Sequence, residues 1–147
     1  MGRRCFLIRT SWGGVEFRQI PEFPDYYVGN TGVVVSLKNW KVRILRLDYN
    51  ADGYPRVKLY NRFGHYYYFV HRLVAEAFVP KRPDDRIVDH WDTNVENNRA
   101  ENLRWCRDMR ENMANPNTQR KLRRNRLSRA AKRRAMIEAA ATENCPF

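Results

Sequence analysis

The chain has 147 residues, with 28 Lys and Arg against 16 Asp and Glu and a formal net charge of +12. That length suits one compact domain with an appendage and a modest core. So large a basic excess favours a polyanion partner through counterion release. Nucleic acid is the usual case, ahead of an acidic membrane surface or a basic protein without a partner.

The three cysteines, Cys5, Cys106 and Cys145, are far apart and form no Cys-x-x-Cys pair. A structural zinc ribbon is therefore not expected, and free thiols fit a reducing cytoplasm. Arg3 and Arg4 precede Cys5-Phe6-Leu7-Ile8, an apolar stretch too short for a signal-peptide core. No apolar run reaches the roughly 18 residues of a membrane span. A soluble, cytoplasmic protein is expected.

Residues 15–70 read as β structure. Gly29-Asn30 and Gly32 punctuate the chain before Val33-Val34-Val35, a β-branched strand signal. Lys41-Val42-Arg43-Ile44 and Arg56-Val57-Lys58-Leu59 alternate basic and apolar residues. Period two puts Val42, Ile44, Val57 and Leu59 on one face of a small antiparallel sheet. Lys41, Arg43, Arg56 and Lys58 fall on the other, either as a solvated face or as a DNA-contacting one. Asn50-Ala51-Asp52-Gly53 and Asn61-Arg62-Phe63-Gly64 are turns, and Tyr66 to Val70 is a further strand.

From His71 the period changes: Leu73, Val74, Ala77 and Phe78 make a helical stripe that Pro80 ends. Ile87-Val88-Asp89-His90 reads as a strand, followed by a loop with Asn94, Asn97, Asn98 and Asn102 and a second strand at Leu103 to Cys106. Arg107 to Met113 is a short helix, interrupted at Asn115-Pro116. Residues 116–141 form a further helix in which Arg120 to Arg134 carry nine Lys or Arg and no acid. Its few apolar residues cannot bury much, so it is an arm ordered on nucleic acid or a solvated tail. Thr142 to Phe147 are expected to be disordered.

Asp89 at a strand end is a natural hard-oxygen ligand for Mg²⁺ or Mn²⁺, or else an ordinary turn residue. His90 as a neutral imidazole can take a proton from a water attacking phosphorus. The Asn102 carboxamide could orient that imidazole, or the loop asparagines could bond only their own backbone.

Three segments carry a family resemblance: Val70-His71-Arg72-Leu73-Val74-Ala75-Glu76-Ala77-Phe78-Val79-Pro80, Val88-Asp89-His90-Trp91-Asp92, and Asn97-Asn98-Arg99-Ala100-Glu101-Asn102-Leu103-Arg104-Trp105-Cys106. They resemble the HNH endonucleases of phage and intron origin. Upstream, Phe17-Arg18-Gln19-Ile20-Pro21, Tyr26-Tyr27-Val28-Gly29-Asn30-Thr31-Gly32 and Val35-Ser36-Leu37 look like the DNA-binding motif, of the NUMOD4 kind, that often precedes this module. The resemblance spans about residues 16–113 and implies an α+β protein. A β-rich DNA-binding region (1–69) would lead into a ββα-metal nuclease module (70–115) and a basic helical extension (116–147). It implies a double-stranded DNA substrate, one Mg²⁺ or Mn²⁺ per site, and a monomer or weak dimer.

The resemblance also implies roles: Asp89 as metal ligand, His90 as general base, Asn102 as the residue that orients it. Glu111-Asn112-Met113 looks like the family's helix signature, making Asn112 the second ligand. Between Trp105 and Asn112 this chain carries one residue more than the usual pattern, which leaves Asp108 as the alternative. Val33 or Val34 stands where relatives often have Arg, and only the basic helix is expected where many relatives carry a further C-terminal helical module. Expected DNA contacts are the four basic sheet residues, Arg72, Arg99 and Arg104 in the module, and Arg120, Arg123 and Arg124 in the helix. The rival readings are an inactive DNA-binding protein on the same scaffold and a basic RNA-binding protein.

Overall fold

The computed structural model describes residues 10–143. Five antiparallel strands form the first sheet in chain order: β1 (Thr10–Trp12), β2 (Val15–Ile20), β3 (Phe23–Gly29), β4 (Val34–Ser36) and β5 (Arg43–Ile44). A second antiparallel sheet contains β6 (Asp48–Tyr49), β7 (Pro55–Asn61) and β8 (Gly64–Phe69). The helix α1 (Val70–Phe78) follows β8 directly. Then come the hairpin strands β9 (Ile87–His90) and β10 (Leu103–Cys106), the short helix α2 (Met109–Met113), and the long helix α3 (Pro116–Glu143).

Helix α1 is the hub. Its stripe of Val70, Leu73 and Val74 is buried together with Phe23, Tyr26 and Val28 of β3, Val57 and Leu59 of β7, and Leu103 and Trp105 of β10. The Trp105 indole N–H donates to the Ala75 carbonyl at 3.3 Å, and the Arg18 guanidinium donates to the Ala77 carbonyl. One core thus ties both sheets to the hairpin, and each fully buried aliphatic side chain in it contributes roughly 1.5–3 kcal/mol. Cys106, expected as a free thiol, is free and buried in β10; Cys5 and Cys145 lie outside the described residues, as does the segment Cys5-Phe6-Leu7-Ile8.

The strand alternation holds in β7, where Val57 and Leu59 are fully buried, and fails around β5, where Val42 just before it and Ile44 within it are 57% and 67% exposed. The reason is length. Only Arg43 and Ile44 pair, at the free edge of the first sheet, and Leu45 and Leu47 turn into the core instead. The basic residues accordingly occupy two sheets rather than one face: Arg43 on the edge of the first, Arg56 and Lys58 on the middle strand of the second.

Helix α3 is open to solvent for most of its length: every residue from Arg120 to Ala140 is exposed. It runs to Glu143, past Thr142, where an unstructured tail was expected to begin; residues 144–147 lie outside the described set. Among the described residues no helix is long and apolar enough to cross a membrane.

Candidate active site

The β9–β10 hairpin is antiparallel with Asp89 opposite Arg104 and His90 opposite Leu103. Cross-strand partners on one face lie within reach of each other, and the Arg104 Nε donates to Asp89 Oδ2 at 2.8 Å. Adjacent residues of a strand ordinarily point to opposite faces. Here β9 ends at His90 and the chain turns at once: the Trp91 N–H donates to the Asn102 carbonyl and the Thr93 N–H to the His90 carbonyl. Asp89 and His90, both buried, therefore line one cavity of about 170 Å³ together with Tyr54, Thr93, Asn112 and Lys121.

Three carboxamides surround this pair. Asn98 Oδ1 lies 2.9 Å from His90 Nε2, while Asn98 Nδ2 donates to the Glu96 carbonyl. That second bond fixes the amide so that oxygen faces the imidazole. Nε2 must then carry the proton, and Nδ1 keeps its lone pair. Asn115 is fully buried; its Nδ2 donates to Asp89 Oδ2 at 3.0 Å and its Oδ1 accepts from the Asn117 N–H at the start of α3. Both partners of the Asp89 carboxylate sit on Oδ2, so Oδ1 keeps its lone pairs. Asn112 projects from α2 into the cavity.

Asn102, expected on the imidazole, does not touch it. Its Nδ2 donates to Asp92 Oδ1 and to the Asn97 carbonyl, and its Oδ1 accepts from the Asp92 N–H. It staples the loop that carries Asn98, one step removed from His90. Asp108 caps α2 by accepting from the Glu111 N–H, and Glu111 turns to Arg82 and the Arg107 N–H. Asn98 and Asn115 escaped sequence reasoning as site residues. Asn98 stood among four loop asparagines with nothing local to single it out, and Asn115 marked only the break before α3, whose first turn it caps.

The electrostatics follow from these partners. Burial works to raise the Asp92 carboxyl, but donors from the Asn97 side chain, the Asn94 backbone and Asn102 hold it below its usual range. Behind His90, His71 packs edge-on at 5.2 Å between ring centroids. Burial, His90 and Arg72 depress its imidazole to about 4.

The other basic residues divide. Arg56 bonds Asp48 and lies over Tyr67, and Lys58 lies over Tyr60 and Tyr67. Arg99 pairs with Glu101. Arg104, expected on DNA, spends its guanidinium on Asp89 and the Trp91 ring. Lys41, Arg43, Arg72, Arg120, Arg123 and Arg124 are exposed.

A divalent ion fits the donors present. Asp89 Oδ1 and the side-chain Oδ1 of Asn112 are hard ligands, and Mg²⁺ or Mn²⁺ commonly keeps several waters beside one or two protein groups. Among the described residues no cluster of three His, Cys, Asp or Glu offers an alternative cage.

The N-terminal sheet abuts this site. The Asn30 carbonyl accepts from the Ala100 N–H at 2.8 Å, and Gly32, at φ +91°, lies against Asn98: a Cβ there would stand 3.1 Å from the Asn98 Cβ.

Comparison with known proteins matches the same two regions. Residues 68–114 match the HNH endonuclease family and residues 16–60 the NUMOD4 motif. DNA endonuclease I-HmuI of Bacillus phage SP01 is 38% identical over 92 residues, which are 62% of this chain and 52% of that protein. H-N-H endonuclease F-TflII of Escherichia phage T5 is 35% identical over 89 residues, 59% of this chain and 45% of that one. This chain thus spans about half the length of these two curated relatives. A solved structure described as DNA binding and cleavage by the HNH homing endonuclease I-HmuI superposes with a TM-score of 0.55. Its sequence is 32% identical, and the match covers 84% of this chain and 66% of the other. The chain therefore carries an HNH endonuclease domain at residues 68–114, behind a NUMOD4 motif at residues 16–60.

Proposed function

We propose that the protein is a metal-dependent DNA endonuclease of the homing type that hydrolyses a phosphodiester at the Asp89–His90–Asn112 cavity. The observation that carries this reading is the convergence of a carboxylate, an imidazole with a free Nδ1 and a carboxamide on one cavity, walled by Lys121 of a basic helix. Named relatives that are DNA endonucleases support it.

His90 acts as the general base: Asn98 holds its Nε2–H, so Nδ1 accepts the proton of a water in line with the phosphorus. Asn102 keeps the Asn98 loop closed. Asp89 and Asn112 would hold one Mg²⁺ or Mn²⁺, with Arg104 and Asn115 fixing the Asp89 carboxylate from the side of Oδ2. Such an ion would supply positive charge that offsets the negative charge building on the phosphate in the transition state. The products are a 5′-phosphate and a 3′-hydroxyl. One such site cuts one strand, so a monomer nicks duplex DNA and a weak dimer or successive nicks break it. Lys41, Arg43, Arg72, Arg123 and the tyrosine-backed Arg56 and Lys58 offer the phosphate contacts that hold the duplex.

The experiment is incubation of supercoiled plasmid with Mg²⁺, Mn²⁺ or EDTA. Nicking with either ion and none in EDTA is expected, with end-labelling giving a 5′-phosphate. Tight, salt-sensitive binding without cleavage on any DNA would instead assign the scaffold to binding alone.

A further inference from the structure

A second cavity of about 210 Å³ adjoins the first, lined by Asp92, Thr93, Asn117, Arg120, Lys121 and Arg124. Thr93 and Lys121 line both. We infer that this second cavity seats a DNA phosphate neighbouring the scissile one, held by Arg120, Lys121 and Arg124; the inference rests on the nuclease reading of the first cavity.

Charge is the first argument. Arg120 and Arg124 stand one turn apart on one side of α3, with Lys121 between the two cavities. Among the described residues none of the three forms an ion pair with a carboxylate. The one acid lining the cavity, Asp92, is committed elsewhere. Its Oδ1 accepts from the Asn94 N–H and Asn102, and its Oδ2 from Asn97 at 2.7 Å. Three cations without a carboxylate partner among the described residues, around a space beside a phosphodiester site, make an anion seat.

Placement is the second argument. Helix α3 buries no apolar face beyond its root, so packing does not explain its position. Polar contacts to the catalytic loop do: Asn115 caps it, Asn117 Nδ2 donates to the Trp91 carbonyl at 2.8 Å, and Lys121 Nζ to the Thr93 carbonyl at 3.2 Å. Thr93 itself holds φ +64°, a conformation a β-branched residue rarely adopts and one that concentrates at functional sites. The loop is strained where it meets the helix, and the strained carbonyl is the one that holds Lys121. The root of α3 belongs to the catalytic unit, and only the rest of the helix is an arm.

The test is a cycle between protein charge and phosphate charge. The wild-type nick is first mapped in a duplex. Duplexes are then made with a single neutral methylphosphonate at each phosphate flanking it. One flanking substitution should lower wild-type kcat/KM at least about tenfold. In Arg120→Gln/Arg124→Gln, already impaired on natural DNA, the same substitution should lower it no further. Arg133→Gln/Arg134→Gln, with the same charge lost from the distal helix, should keep the wild-type sensitivity. A methylphosphonate effect of equal size in wild type and Arg120→Gln/Arg124→Gln at every flanking position overturns the inference alone. Wild-type protein that nicks no DNA overturns the nuclease reading and this inference with it.

Discussion

His71 is buried with its Nδ1 lacking a hydrogen-bond partner, stacked on Phe69 and against Tyr54 and His90. Its imidazole takes a proton near 6.5 when unfolded but only near 4 in the fold. Between those values the unfolded chain binds more protons. This contribution to stability is therefore complete above about pH 6.5 and lost as pH falls toward 4, by up to about 3 kcal/mol. Thermal melts at pH 4.5 and 7 should show a steeper acid loss in wild type than in His71→Phe, which keeps the ring contacts but cannot protonate; parallel losses would contradict this. Asn115 makes a second prediction at this scale. Asn115→Ala removes a buried donor to Asp89 and the cap of α3, lowering stability by about 1–3 kcal/mol in denaturant titration. An unchanged midpoint would show both bonds to be dispensable.

At the scale of elements, the turn between β3 and β4 buttresses the loop that carries Asn98. Gly32→Ala strains a positive φ and crowds Asn98, whereas Gly53→Ala strains a similar φ (+81°) with nothing within 4 Å. Both should lose about 1 kcal/mol of stability, but only Gly32→Ala should lower kcat for nicking, because Asn98 orients His90. Equal kcat in the two variants would refute that coupling. The contrast also marks how far the sequence could be read. Alternation and turn residues locate β7, β8, α1 and the hairpin, and Asn115-Pro116 announces α3, because those signals are local. That Asn98 rather than Asn102 meets His90 depends on how an eight-residue stretch folds back onto a turn from the other end of the chain, which no local pattern encodes. Val42 and Ile44 misled for the complementary reason: their alternation is real, but an edge strand of two paired residues has no facing layer to cover them. Spacing left Asn112 and Asp108 as alternatives; in the fold Asp108 caps α2 while Asn112 lines the cavity.

Across the whole molecule, positive charge is distributed along α3, with the root beside the Asp89–His90 cavity and the rest exposed. Truncation after Asn125 removes Arg126, Arg129, Lys132, Arg133 and Arg134 and leaves the root intact. DNA affinity should fall and the slope of log affinity against log salt should flatten by up to about 0.9 per lost contact, while kcat at saturating DNA stays within about twofold, given that binding common to ground and transition states leaves kcat unaffected. An unchanged salt slope would make the distal helix a bystander. The acid, the imidazole and the basic surface were all legible from composition and spacing; that Asp89 and His90, neighbours on one strand, line the same cavity depends on β9 ending at His90.

In the proposed mechanism His90 acts on the attacking water and not on DNA affinity. The decisive comparison is His90→Ala beside wild type, with plasmid nicking in Mn²⁺ and gel-shift affinity in EDTA read on the same preparations. Nicking should fall by at least about a thousandfold, at the level expected when a general base and its positioned water are both lost, with affinity within about twofold of wild type. Nicking retained in His90→Ala, or affinity lost in step with it, would remove His90 from the role of general base.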